Sequence, residues 1–131
     1  MPKSDVNAVF IRRLKQARTA LGLSQAALGS RMGLPDETAS TRVNRYELGK
    51  SEPDLRTAQA VADALGVSLS WLVCTEVRLG QMIEGFSRLK VEAQHALLSE
   101  LERALQDKKN LARAKVRPVK KAAKRRPRVK S

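Results

Sequence analysis

Two arginines stand out in the segment TRVNRYELG, which has the pattern of a helix. Arg42 and Arg45 are three positions apart, so they share one face of that helix. A guanidinium group can donate two hydrogen bonds to O6 and N7 of a guanine, and this discriminates between bases by about 1–3 kcal/mol. The two side chains could therefore read neighbouring base pairs, or one of them could bind only phosphate, and the sequence leaves both options open.

Groups that perform catalysis or hold metal ions are sparse in this chain. It has one cysteine, Cys74, and one histidine, His95, which excludes an internal disulfide, a cysteine-based zinc site and a histidine-rich metal centre. None of the motifs GxxxxGK[ST], GxSxG or HExxH is present. We therefore expect no enzymatic activity, no metal site and no cofactor.

The net charge indicates a polyanionic partner. The 131 residues contain 26 Lys and Arg against 13 Asp and Glu, for a formal net charge of +13. Most of the excess lies in residues 107–131, which hold twelve basic residues and one acidic residue. This stretch also contains Pro118 and Pro127 and too little apolar surface to offset the entropy of ordering it. We predict a disordered basic tail that adds non-specific binding to nucleic acid, with a merely solubilising tail as the alternative.

No apolar run is long enough to span a membrane, and the N-terminus does not have the pattern of a signal peptide. We therefore expect a cytoplasmic protein that has no membrane partner.

Helical periodicity dominates the first 75 residues. The spacing of apolar residues predicts five short helices, with Ser24 as the cap of the second and Thr38 or Ser40 as the cap of the third. The glycines at which helices are expected to end are Gly22, Gly33, Gly49 and Gly66. Short turns between short helices indicate a compact all-helical domain over residues 1–75.

A longer amphipathic region follows in residues 76–106. Its apolar residues predict two helical segments with a break near Leu89 and Lys90. The apolar stripe is longer than a monomer of this size needs, so we expect it to form the interface of a homodimer. The alternative is that the stripe folds back on the first domain.

The pattern of residues 9–73 resembles the Xre/Cro/phage-repressor family of helix-turn-helix proteins. The resemblance is carried by RRLKQARTALGLSQAALGSRMGL, VNRYELGKSEPDL and AQAVADALGVSLSWLV, which follow one another in family order and cover about half the chain. It implies a five-helix, lambda-repressor-like domain that binds double-stranded DNA, with the second helix crossing the DNA backbone and the third in the major groove.

The resemblance also implies roles for individual residues. Val43 takes a buried position, which leaves the opposite side of the third helix free to face DNA. The residues implied in base reading are Ser40, Thr41, Arg42, Asn44 and Arg45. Those implied in phosphate contacts are Gln25, at the start of the second helix, and Lys50 and Ser51, just past the third. Arg18 and Glu47 match a structural ion pair of the family, and Gly29 stands where the family prefers alanine.

One departure from the family concerns the stretch between Gly33 and Val43, which has about four residues more than the usual turn. The additional residues lengthen either the turn or the start of the recognition helix. They also bring in Asp36 and Glu37, which would repel phosphates if they faced the DNA backbone.

We therefore predict a sequence-specific transcriptional regulator, acting as a repressor and a homodimer. Two alternatives stay open. The first is an antitoxin-like or adaptor protein whose C-terminal helices bind a different protein. The second is a chromosome-coating protein with weak base preference.

Overall fold

The computed structural model describes residues 5–116, and within that range the chain is helical with no strand. The helices are α1 (Val6–Ala20), α2 (Gln25–Arg31), α3 (Asp36–Glu47), α4 (Leu55–Leu65), α5 (Leu69–Leu72), α6 (Val77–Arg88) and α7 (Val91–Val116). The all-helical fold class predicted from the sequence is confirmed. The chain divides into two compact units at Ser87–Arg88, and we call the part from residue 5 to residue 87 the N-terminal unit.

The core of the N-terminal unit is built mainly from aliphatic side chains of α1 to α5, together with two aromatic ones. The residues at its centre are Phe10, Leu14, Leu28, Val43, Tyr46, Ala58, Val61, Ala62, Leu65 and Leu72. Leu14, Leu28 and Val43 have no exposed surface at all, and they come from three different helices. The core therefore fixes α1, α2 and α3 relative to one another.

Side-chain caps start several of these helices, and the cap of α2 is the one predicted from the sequence. The Ser24 hydroxyl accepts a hydrogen bond of 2.9 Å from the backbone N–H of Ala27 at the start of α2. Asp54 does the same for Thr57 at the start of α4, at 2.8 Å. Each cap satisfies one of the N–H groups that a helix leaves unpaired at its N-terminus.

The start of α3 differs from the prediction. Neither Thr38 nor Ser40 caps it, because the helix already begins at Asp36, with Pro35 in the cap position and no side-chain cap. The fixed φ of proline prepares the chain for a helix, and acidic residues in the first turn interact favourably with the helix dipole. The additional residues of this chain therefore lengthen α3 and not the turn.

Helices α2 and α3 approach each other closely where Gly29 meets Ala39. A Cβ atom on Gly29 would lie 2.6 Å from Cβ of Ala39 and 2.8 Å from its carbonyl oxygen. Even alanine, which the family prefers here, would require the backbone of α3 to shift. The turn before it depends on Gly33, whose φ of +86° belongs to the left-handed region.

Helix α6 belongs to the N-terminal unit, so the unit extends beyond the predicted boundary at residue 75. Gly80 of α6 is buried, and a Cβ atom there would lie 3.0 Å from Nη2 of Arg13 on α1. The absence of a side chain at Gly80 allows α6 to pack against this guanidinium group. The chain then leaves the helical conformation at Leu89 and Lys90, at the predicted break.

Helix α7 runs past residue 106, where the sequence predicts that a disordered tail begins. Residues 107–116 are helical, because this stretch contains neither glycine nor proline and continues the helical spacing through Leu111. The rest of the predicted tail, 117–131, lies outside the described residues. Within residues 5–116, no helix is long and apolar enough to cross a membrane.

Candidate nucleic-acid interface

Helix α3 has a buried inner face and a polar outer face. Ala39, Val43 and Tyr46 pack inward, and none of them is more than 5% exposed. At about 100° per residue, the direction opposite to these three corresponds to Thr41 and its neighbours. The predicted base-reading residues that are exposed are Ser40, Thr41, Arg42 and Arg45. Asn44 is half-buried at the edge of this face.

The two arginines of α3 have different hydrogen-bond partners, and both partners lie toward the C-terminal end of the helix or beyond it. A guanidinium N–H of Arg42 donates to the Tyr46 hydroxyl over 3.4 Å. That hydrogen bond, together with the Coulombic interaction with Tyr46, raises the pKa of Arg42 above its ordinary value. Arg45 donates from Nε to the Ser51 hydroxyl at 3.1 Å, so its side chain lies toward the loop after the helix.

A polar network joins the first three helices beneath the outer face. The carboxylate of Glu47 accepts hydrogen bonds from Arg18 at 2.5 Å (Nε) and 3.1 Å (Nη2). The Arg18 and Glu47 side chains are 12% and 5% exposed, respectively. Arg18 also donates to the backbone oxygen of Leu23 at 2.8 Å, which ties the loop between α1 and α2 to the same network. The ion pair that the resemblance implies is thus present in the structure, in bidentate geometry.

Gln25 is part of this network. Its side-chain amide nitrogen donates to Oδ1 of Asn44 at 3.1 Å and to Oε1 of Glu47 at 2.9 Å. An amide NH₂ group has two hydrogens, and both are engaged within the protein. The amide oxygen of Gln25 cannot donate to a phosphate, so a phosphate contact would require its side chain to rearrange or would use backbone N–H groups at the start of α2.

Lys50 and Ser51 lie in the loop that follows α3. The backbone N–H of Lys50 donates to the carbonyl oxygen of Arg45 at 2.9 Å, which closes the end of the helix. The side chain of Lys50 is exposed, whereas Ser51 is half-buried. The hydroxyl of Ser51 accepts from Arg45, so a predicted phosphate residue and a predicted base reader are in direct contact.

The sequence analysis overlooked Arg13. Its side chain is buried, with its guanidinium 5.2 Å from the centre of the Trp71 ring, and it donates to the Trp71 backbone oxygen. The spacing gives a weak indication of this burial, because Arg13 follows the buried Val9 by four positions and so lies on the same side of the helix.

Comparisons with known proteins agree with this architecture. A profile of the helix-turn-helix family matches residues 14–72, from α1 to the end of α5. The crystal structure of the transcriptional regulator BswR matches with a TM-score of 0.68 and 35% sequence identity, over 74% of this chain and 96% of that one. The chain belongs to the Xre-like family of helix-turn-helix transcriptional regulators. The family resemblance stated from the sequence is thereby confirmed.

This Xre-family protein also matches a second regulator by sequence. It is 37% identical over 65 residues to YonR of Bacillus subtilis (strain 168), described as an SPbeta prophage-derived, uncharacterized HTH-type transcriptional regulator. The match covers 50% of this chain and 56% of YonR, so it spans about half the length of that relative. Among residues 5–116 of the Xre-family protein, no group of three or more His, Cys, Asp or Glu side chains could hold a metal ion.

Proposed function

We propose that this protein is a sequence-specific DNA-binding transcriptional regulator that acts in the cytoplasm on the bacterial chromosome. It binds as a homodimer to two half-sites related by two-fold symmetry, and it represses by occluding the polymerase. The observation that carries the proposal is the outer face of α3, a row of exposed polar and basic side chains on a helix whose inner face is locked into the core.

The geometry of α3 suits insertion into the major groove. An α-helix fits this groove, where every base pair presents a distinct pattern of donors and acceptors. The network of Arg18, Gln25 and Glu47 holds α2 and α3 at a fixed angle, so the reading side chains approach the bases already positioned. A rigid element of this kind loses less conformational entropy on binding than a loop would.

Individual side chains are suited to different parts of the DNA. Arg45 reads a guanine in this proposal, with its direction set by the hydrogen bond to Ser51. The oxygen of Asn44 accepts from Gln25, which leaves its NH₂ group to donate to a base acceptor. Lys50, exposed beside the end of α3, binds a phosphate of the same half-site.

The basic residues at the end of the chain contribute affinity without base preference. Residues 107–131 contain twelve Lys or Arg, and each phosphate that they neutralise makes binding more sensitive to salt. The slope of log affinity against log salt changes by about −0.9 for each such phosphate on duplex DNA. The N-terminal unit then provides the specificity, and the C-terminal charge raises the rate of association.

Selection from random double-stranded DNA tests the proposal, with the full chain at physiological salt. We expect an enriched motif with two-fold symmetry. In Arg45→Ala the preference at one position of each half-site relaxes by about 1–3 kcal/mol. Arg12→Ala, which removes an exposed arginine of α1, is the matched control and leaves the motif unchanged. Tight binding without any enriched motif would contradict the proposal and favour the chromosome-coating function.

An antitoxin-like or adaptor protein is the second candidate function. It is favoured by the leucines of α7 that are about half-exposed, among them Leu101 and Leu105. In that case a different protein covers these leucines, and the full chain by itself is a monomer in light scattering.

A further inference from the structure

Helix α7 has no buried side chain in the part where side chains are described, Val91 to Arg113. With 26 residues it is about 39 Å long, and it is the longest helix between residues 5 and 116. The exposed fractions of Leu98, Leu101 and Leu105 are 46%, 51% and 57%. Most helices in proteins owe their stability to an apolar face that packs against another element. Nothing within the described part of the second unit covers the leucines of α7.

The exposed leucines of α7 form one stripe. Leu98, Leu101 and Leu105 follow one another at intervals of three and four, the spacing at which two helices pack against each other along their length. Leu97 lies along one edge of the same stripe, and Ala112 continues the stripe toward the C-terminus. Ser99 points away from the stripe, about 100–160° around the helix from the three central leucines. The stripe continues past residue 106, so the interface includes residues that the sequence analysis assigned to the basic tail.

The charges of α7 are separated along its length. From Val91 to Glu102 the helix has three glutamates and neither lysine nor arginine, for a charge of −3. From Arg103 to Arg113 it has four basic residues and one aspartate, for a charge of +3. Two such helices side by side in the same direction would place acid beside acid and base beside base. In opposite directions, each acidic half lies beside a basic half, which lowers the electrostatic energy of the pair.

We propose that α7 pairs with α7 of a second copy of this chain in antiparallel orientation. In this pair Leu101 faces Leu105 of the second copy and Leu98 faces Lys108. This register centres the pair on Arg103, where the acidic half of the helix meets the basic half. The aliphatic stem of Lys108 can lie along the leucine while its ammonium group reaches water. This inference rests on the homodimer of the proposed function, and it assigns both the surface and the orientation of that dimer.

Disulfide formation between variants of the full chain that each carry one introduced cysteine, besides the buried Cys74, tests the orientation. Leu98→Cys and Lys108→Cys are prepared separately, one with a mass tag, and oxidised alone and after mixing. In the antiparallel pair, residue 98 faces residue 108 of the second copy, whereas the two copies of residue 98 lie about 15 Å apart along the axis. Cysteines whose Cα atoms are more than about 7 Å apart cannot be bridged. The disulfide therefore forms in the mixture, between tagged and untagged chains, and in neither variant alone.

Two controls accompany this experiment. The wild-type chain, whose Cys74 is buried, forms no intermolecular disulfide under the same conditions. Ser99→Cys places the thiol on the opposite side of α7 and remains uncrosslinked in every combination. Disulfides within each single variant, with none specific to the mixture, would show a parallel pair and overturn the orientation while the homodimer stands.

A second measurement does not depend on cysteine chemistry. Leu101→Lys places a charge in the centre of the stripe and raises the dissociation constant of the dimer at least about tenfold in sedimentation equilibrium. Ser99→Lys adds the same charge on the opposite side and leaves that constant unchanged. A dimer insensitive to Leu101→Lys would overturn the assigned surface.

Failure of the pairing can be distinguished from failure of the proposed function. A wild-type chain that is monomeric at micromolar concentration overturns the α7 pair and the homodimer together. Base reading by α3 is decided separately by the DNA selection, in which a monomer still enriches a single half-site.

Discussion

The N-terminal unit and α7 are both helical, yet their apolar residues differ in how far they are exposed to solvent. Leu14 and Leu28 of the N-terminal unit have no exposed surface, whereas Leu101 and Leu105 of α7 are about half exposed. Ion pairs show the same contrast. The side chains of Arg18 and Glu47 are 12% and 5% exposed, and those of Arg103 and Glu100 are 62% and 70% exposed. The N-terminal unit therefore contains the contacts that stabilise it, while the stability of α7 depends on what covers it.

Truncation of one leucine in each region gives the largest expected difference. Leu28→Ala leaves a cavity in the core and lowers the free energy of unfolding of the N-terminal unit by about 4 kcal/mol. Leu105→Ala on α7 leaves that free energy unchanged. Urea denaturation followed by fluorescence of Trp71, the single tryptophan of the chain, measures both variants. A comparable loss in Leu105→Ala would mean that the two regions are not energetically independent.

Removal of one carboxylate from each ion pair gives the next effect. Glu47→Gln leaves the mostly buried guanidinium of Arg18 without its counter-charge and costs about 3 kcal/mol of stability. Glu100→Gln acts on an exposed pair and changes the stability of the chain by about 0.5 kcal/mol or less. Thermal unfolding by circular dichroism compares the two, and equal shifts would contradict the assignment of Glu47 as the centre of the network.

Two glycine substitutions probe where the N-terminal unit is tightly packed. Gly29→Ala forces the backbone of α3 away from α2 and is expected to cost about 2 kcal/mol. Gly85→Ala, on α6, meets no atom within 4 Å and stabilises by about 0.5–1 kcal/mol through helix propensity. Opposite signs in the change of unfolding free energy are the expected result. A neutral Gly29→Ala would show that α2 and α3 can separate at no cost.

The smallest effect concerns pH and the cap of α4. The backbone N–H of Thr57, which donates to Asp54, lowers the pKa of that carboxyl below its ordinary value. A lowered pKa in the folded state stabilises the fold above the unfolded pKa of about 4, and this contribution is lost as pH falls through the folded pKa. Between pH 5 and pH 2, the wild type should therefore lose stability relative to Asp54→Asn.

The control for this pH dependence is Ser68→Ala, which removes the hydroxyl cap of α5. The Ser68 cap is a hydroxyl and not a carboxyl. The difference in stability between the wild type and Ser68→Ala should therefore stay constant between pH 5 and pH 2. If the difference between the wild type and Asp54→Asn stays constant over this range, Asp54 does not contribute through its charge.

Much of the fold was predictable because local signals agree with the tertiary structure. Ser24 caps α2 and Gly66 ends α4 where the sequence placed them, since caps and left-handed glycines act within one turn of helix. The start of α3 was less predictable. Pro35 is a typical turn residue, whereas in the structure it occupies the cap position of a helix that begins four residues before Ser40 and packs Ala39 against Gly29.

The candidate site, too, was predictable from the sequence only in part. Helical spacing and the family resemblance together suffice to place Thr41 and Arg45 on the outer face of α3. They do not indicate that Gln25 uses both amide hydrogens inside the protein, because Asn44 and Glu47 are nineteen and twenty-two residues away in the chain. The burial of Arg13 could not be predicted for the same reason, since its partner Trp71 is fifty-eight residues away.

The sequence by itself determined the helical class, the family, the separation of charge along the chain and the face of α3 that is polar. These properties depend on residue type and on spacings of three or four positions, which can be read without knowing the fold. Only the tertiary structure decided which polar groups satisfy one another and which apolar stripe remains uncovered. Burial and hydrogen bonding of that kind depend on residues that are distant in sequence and meet only when the chain is folded.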